Sequence, residues 1–199
     1  MAVIIVGGQT KDIGKTTLIC NIITAFPDAR WTAVKISNHP HIPRDCENLI
    51  KEAGWSIWQQ NATGDHNDTA RFLRSGVARS LLLQTDNSSL EQACASLNHE
   101  LALARNVIVE SASAAEFLHH DLLVILLDAT REDFKDSLRR QLGRADAFVM
   151  RNPDLGVKEQ IDPANQGPLF AAHSDRLDPR LASLLASKVG SLPQAARSG

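Results

Sequence analysis

The stretch Val3-Ile4-Ile5-Val6-Gly7-Gly8-Gln9-Thr10-Lys11-Asp12-Ile13-Gly14-Lys15-Thr16-Thr17 decides the fold. Its opening residues are a continuous β-branched run, the pattern of a strand buried on both faces of a parallel sheet. Paired glycines follow. Residues 16–26 then carry Leu18, Ile19, Ile22, Ile23 and Phe26 at helical spacing until Pro27 ends the run. A buried strand, a glycine-rich turn and a helix in that order predict a phosphate-binding loop.

The chemistry explains the residue types. Glycines let the backbone turn so that successive amides face phosphate oxygens, and the positive end of the following helix favours the anion. Lys15 adds a point charge at the outer phosphates, and the Thr16 hydroxyl suits Mg2+. The expected nucleotide contacts run through Gly8, Gln9, Thr10, Lys11, Asp12, Ile13, Gly14, Lys15, Thr16 and Thr17, with GTP or ATP as the ligand. The common form of the motif places four residues between its glycine and the Gly-Lys pair, whereas Gly8 to Gly14 encloses five.

Outward from the loop, strands and helices alternate. Residues 31–37, 80–84, 107–110, 122–128, 147–150 and 169–172 read as strands. Residues 88–105, 134–142 and 178–188 carry helical apolar spacing, with Leu90, Ala93, Cys94, Leu97, Leu101 and Ala104 on one face of the first. Right-handed crossovers then give an α/β three-layer sandwich, a mostly parallel central sheet of about seven strands with helices on both faces. At 199 residues the chain suits one core, so residues 1–190 are expected to form a single domain, with 191–199 a flexible tail. Residues 38–69 break the alternation and are long enough to carry function.

Composition excludes several classes. A formal charge of -2 offers no basic field for nucleic acid, so an anion must be held locally. Three cysteines at irregular spacing suggest a reducing cytoplasm. The start of the chain has no signal-peptide pattern, and the longest apolar run, residues 122–127, is too short to cross a bilayer. Neither a nucleic-acid nor a membrane partner is expected.

The five-residue loop spacing resembles that of dethiobiotin synthetases, GTDTxVGKT. Gly8, Asp12, Gly14, Lys15 and Thr16 fall in register, and Ile13 takes the valine position. That family belongs to the SIMIBI branch of phosphate-loop NTPases. Thr10 and Lys11 replace its Asp and Thr, and Lys11 does not fall where ParA and MinD relatives carry their signature lysine. Further along, three segments in order resemble molybdopterin-guanine dinucleotide biosynthesis protein B. Lys35, His39 and His41 approximate its IKHxHH; residues 67–78 parallel its KDSxxLRKAGA, with Asp68 at the acidic position and Gly76 ending the helix; residues 107–111 parallel its VLVEGF, with Ser111 for glycine. Together these cover about the first 110 residues.

The resemblance implies an accessory protein of molybdenum cofactor biosynthesis that binds GTP or ATP with Mg2+, hydrolyses it slowly and forms a homodimer. A small-molecule or pterin-cofactor ligand and a protein partner are also implied. The candidate catalytic residues are Lys15, Lys35, Asp12 and Asp68; the candidate metal ligands are Thr16, Asp68 and Glu110. Asn152 resembles the base-reading asparagine of dethiobiotin synthetases, but Asn152-Pro153-Asp154 lacks the NKxD spacing that would specify guanine. Two alternatives stand beside this reading: an ATP-dependent carboxylate-activating ligase of the dethiobiotin synthetase type, and a nucleotide switch or metallochaperone. His39, His41, Cys46 and His66 form a zinc constellation only on paper, since their spacing matches no usual pattern. Trp55 and Trp58, three apart, are expected on one apolar face of a short helix covering the site.

Overall fold

A computed structural model describes residues 1–38, 44–64, 66–153 and 167–190. The β-branched run becomes β1 (Ala2–Gly8), buried along its whole length, and the Lys15–Ala25 segment becomes α1. β2 (Trp31–Ser37) follows, then β3 (Cys46–Glu52), β4 (Trp55–Gln60) and α2 (Asp68–Arg74). β5 (Arg79–Thr85), α3 (Leu90–Leu101), β6 (Asn106–Glu110) and β7 (Leu122–Asp128) continue the alternation. α4 (Asp136–Leu142), β8 (Ala147–Arg151), β9 (Leu169–Ala171) and α5 (Pro179–Val189) complete it. The tail expected at 191–199 lies outside the described residues.

Among the described residues one sheet contains all nine strands, in the order β3-β4-β5-β2-β6-β1-β7-β8-β9. β1 lies parallel between β6 and β7, and pairing stays parallel from β5 through β9. Two apolar clusters flank the sheet. One joins Val3, Ile5 and Val109 to Ala93, Leu97 and Leu138 of α3 and α4; the other joins Ile4, Val6 and Ile108 to Ile19, Ile23, Phe72 and Leu185 of α1, α2 and α5. The result is the expected three-layer α/β sandwich, with two more strands than expected.

The surplus is β3 and β4, a hairpin built from the segment whose sequence broke the alternation. β4 runs antiparallel to both β3 and β5, so the sheet is mixed at this edge. The helix expected to carry Trp55 and Trp58 is a strand. On a strand, residues three apart face opposite sides. Trp55 and Ile57 enter the core, while Trp58 lies on the other face, its indole N–H donating to Ser56 Oγ at 2.8 Å. The open edge of β5, with Leu81 and Leu83 in register with Gln59 and Ile57, supplies the backbone partners that decide the matter.

Among the described residues no helix is long and apolar enough to cross a membrane. The carboxyl ends of β1, β2, β6 and β7 meet at one edge of the sheet, where β1 turns between its two parallel neighbours. That edge is where ligands bind in open α/β sheets.

Candidate functional site

The loop between β1 and α1 is shaped by two glycines. Gly14 caps α1 with φ 106°, a left-handed conformation that disfavours a side chain, and its carbonyl accepts the Leu18 amide at 3.0 Å. A Cβ at Gly8 would lie 2.8 Å from Lys15 Cγ and Cδ and 2.9 Å from Ile13 Cγ2. The Lys15 stem therefore crosses directly over Gly8, and its Nζ donates to the Thr10 carbonyl at 3.1 Å. Burial holds the Lys15 ammonium below the ordinary lysine value; Glu110 opposes this, while the charges of Lys35 and Lys135 add to it.

Three elements deliver a charged cluster to the same place. Thr16 comes from the first turn of α1, Asp68 from the first turn of α2 and Glu110 from the end of β6. The Thr16 hydroxyl lies 2.9 Å from Asp68 Oδ1 and 2.9 Å from Glu110 Oε2. Each carboxylate turns its other oxygen to Lys35 Nζ, at 2.9 Å from Asp68 Oδ2 and 2.5 Å from Glu110 Oε1. In the sheet register Lys35 sits opposite Glu110, which explains the pairing across β2 and β6. Burial disfavours the charge on Lys35, but Glu110 and Asp68 outweigh it and raise its pKa above the usual lysine value. Burial pushes Asp68 up, but Lys35 and the Thr16 hydroxyl outweigh it and hold the carboxyl below the usual range.

This donor set suits a small divalent cation. Two carboxylate oxygens and a hydroxyl converge from one side, all hard ligands, and Mg2+ binds through one or two carboxylates with phosphates and water filling the rest. Thr16, Asp68 and Glu110 would hold it, and it would neutralise charge on an adjoining phosphate.

A cavity of about 1010 Å³ opens over these groups. Gly8, Lys11, Asp12, Gly14, Lys15, Thr16, Thr17, Lys35, Asp68 and Glu110 all line it. Asp12 adopts φ 59° there. Four of the residues read from the sequence are not among the lining residues. Gln9 is fully buried: its Oε1 accepts the Asp128 amide at 2.8 Å and its Nε2 donates to the Arg131 carbonyl at 3.1 Å. Ile13 packs into the α1 core, and Thr10 offers its carbonyl to Lys15. Asn152, at φ 54°, donates to Asp128 Oδ1 at 3.2 Å and is not a lining residue.

Sequence reading passed over Arg71, Lys135 and Arg140, which line the same cavity. Arg71 Nη2 donates to Thr17 Oγ1 at 3.1 Å, and its Nη1 lies 3.8 Å from Asp68 Oδ1. Its place one helical turn beyond Asp68 was a usable signal. Lys135 and Arg140 come from a distant segment with no motif. Of the paper zinc constellation, His39 and His41 lie outside the described residues, and Cys46 Sγ donates to Gln60 Oε1 at 3.2 Å. Among the described residues no group of three His, Cys, Asp or Glu side chains is placed to hold a metal.

No family model matches this chain, and no curated protein matches it. Solved structures do. HypB from Helicobacter pylori in complex with nickel is 19% identical with a TM-score of 0.55, over 96% of this chain and 87% of that one. The fold is that of an α/β phosphate-loop NTPase. Zn(II)-bound YjiA GTPase from E. coli is 17% identical with a TM-score of 0.53, over 91% of this chain and 60% of YjiA. LpxK from Aquifex aeolicus in complex with ATP is 16% identical with a TM-score of 0.51, over 86% of this chain and 53% of LpxK. At these identities the phosphate-loop fold is what is shared.

Proposed function

We propose that this chain binds a nucleoside triphosphate with Mg2+ over Gly8–Thr17, hydrolyses it slowly, and uses the nucleotide as a switch in the maturation of a metal-containing cofactor. The observation that carries this is the Thr16 hydroxyl, set 2.9 Å from both Asp68 and Glu110 beside the phosphate-loop lysine. Such a cluster positions a metal against a triphosphate and neutralises its charge, which is most of what phosphoryl transfer requires.

In this reading Gly8, Lys11, Asp12, Gly14, Lys15 and Thr17 hold the phosphates. Thr16, Asp68 and Glu110 hold Mg2+. Lys35 stands at the end of β2 to stabilise charge that develops on the transferring group. Gln9 and Ile13 fix the loop's shape, and Asn152 stands behind Asp128 on the base side. The three ordered segments resembling molybdopterin-guanine dinucleotide biosynthesis protein B favour molybdenum cofactor maturation as the setting, with a pterin cofactor or protein as partner and a homodimer as the working unit. The structural neighbours captured with nickel and zinc support the broader idea of metal-centre maturation.

The carboxylate-activating alternative keeps one observation in its favour: the five-residue loop spacing. Turnover separates the two. With Mg2+, GTP or ATP should be hydrolysed well below ~1 per second, against a median enzyme near 10 per second, and small carboxylic acids should leave the rate unchanged. ATP turnover stimulated many-fold by a small carboxylic acid would replace the switch with the ligase.

A further inference from the structure

Asp68 is the one proposed metal ligand that comes from outside the central phosphate-loop framework, so what fixes its position matters. It opens α2, and α2 is pinned at its first turn by the β3–β4 hairpin. Gln60, the last residue of β4, is 2% exposed. Its Oε1 takes the Thr69 hydroxyl at 2.8 Å and the Asn67 amide at 3.3 Å. Its Nε2 donates to the Ala62 carbonyl at 3.0 Å, which fixes the orientation of the amide. Asn67 caps α2 through its Oδ1, bonded to the Ala70 amide at 2.8 Å, and Thr69 is 3% exposed. From the sheet, buried Ser80 Oγ donates to the Thr69 carbonyl at 2.9 Å. The residues on either side of Asp68 are thus both held by one buried side chain of the hairpin.

We propose that Gln60 is a positioning residue for the metal site: through Thr69 and Asn67 it holds the Asp68 carboxylate at Thr16, so the β3–β4 hairpin sets the affinity for Mg2+. Gln60 touches neither metal nor nucleotide. Its effect is geometric, because a carboxylate on the first residue of a short helix follows any rotation of that helix, while Glu110 is fixed by the sheet. By reciprocity, Mg2+ with nucleotide stabilises the attachment of the hairpin to α2. The inference rests on the reading of Thr16, Asp68 and Glu110 as metal ligands.

The test titrates Mg2+ into the full chain with a fluorescent methylanthraniloyl derivative of GTP, and in parallel with that of ATP, comparing Gln60→Ala, Thr69→Val and Thr69→Ser with the unaltered protein. Thr69→Val keeps the shape and removes the hydroxyl; Thr69→Ser restores it. Nucleotide affinity without Mg2+ should stay within about twofold in all four. The half-saturating Mg2+ concentration should rise about tenfold in Gln60→Ala and Thr69→Val, the scale of one buried hydrogen bond, and return to within about twofold in Thr69→Ser. Unchanged Mg2+ dependence in Thr69→Val overturns the proposal even if Gln60→Ala misfolds, and so does an equal loss of Mg2+-free binding. Nucleotide binding by the unaltered protein that Mg2+ does not tighten overturns the metal reading beneath it.

Discussion

At the residue scale, Lys35 decides how the cluster holds together. It stands between Asp68 and Glu110, and Glu110 is only 3% exposed, so removing the ammonium leaves a buried carboxylate uncompensated. Lys35→Met is expected to cost about 2 kcal/mol at neutral pH, below the usual cost of breaking a buried pair because Lys35 is 23% exposed and partly screened. The pH dependence follows from the two shifts. Asp68 is depressed, so its contribution is complete above the ordinary carboxylate value of about 4 and is lost as pH falls through its lower folded value. Lys35 is raised, so its contribution is complete below the ordinary lysine value of about 10.4 and is lost as pH rises through its higher folded value. Urea unfolding of Lys35→Met and the unaltered protein across pH should therefore show the largest gap between those limits and a narrowing gap in acid. A gap independent of pH would contradict the ion-pair account. Lys15, Thr16 and Lys35 were legible because spacing after a strand carries mechanism. Arg71, Lys135 and Arg140 were not singled out, because the fold alone brings them to the loop.

At the element scale, the turn into α1 and the cap of α2 are the two local structures on which the site depends. Gly14→Ala forces a side chain into a left-handed conformation, which costs about 1–2 kcal/mol and turns the loop amides. It should weaken triphosphate binding more than it lowers the melting temperature implies. Calorimetry of both quantities checks this, and binding unchanged in a folded variant would contradict it. Asn67→Ala removes the cap of α2 and should destabilise by about 1 kcal/mol, measurable by denaturant titration; no change would show that packing alone ends the helix. The strands of the parallel region were readable because their apolar runs are continuous. The β3–β4 hairpin was not: Trp55-Ser56-Ile57-Trp58 reads as helix or strand by spacing, and only the waiting edge of β5 settles it.

At the scale of the molecule, the sheet order brings the ends of β1, β2 and β6 together, and α2 adds Asp68 from the hairpin side. The ordering of strands was not in the sequence pattern, which gave alternation without neighbours. What alternation did imply, helices on both faces of a mostly parallel sheet, is what the structure has. A ligand that binds only the folded state stabilises it, by about 2.7 kcal/mol at a hundredfold excess over its dissociation constant. For a chain of this size that is a rise in melting temperature of about 5–10 °C. Mg2+ with the preferred nucleotide should produce it, and Mg2+ alone should not; a melting temperature insensitive to both nucleotides would contradict tight binding. The most direct test of the central claim is isothermal titration of GTP and of ATP, each with Mg2+, into the unaltered protein and Lys15→Ala. The account predicts saturable binding of at least one nucleotide at one site per chain, weakened at least tenfold in the variant. No binding of either nucleotide, or equal binding by Lys15→Ala, would contradict it.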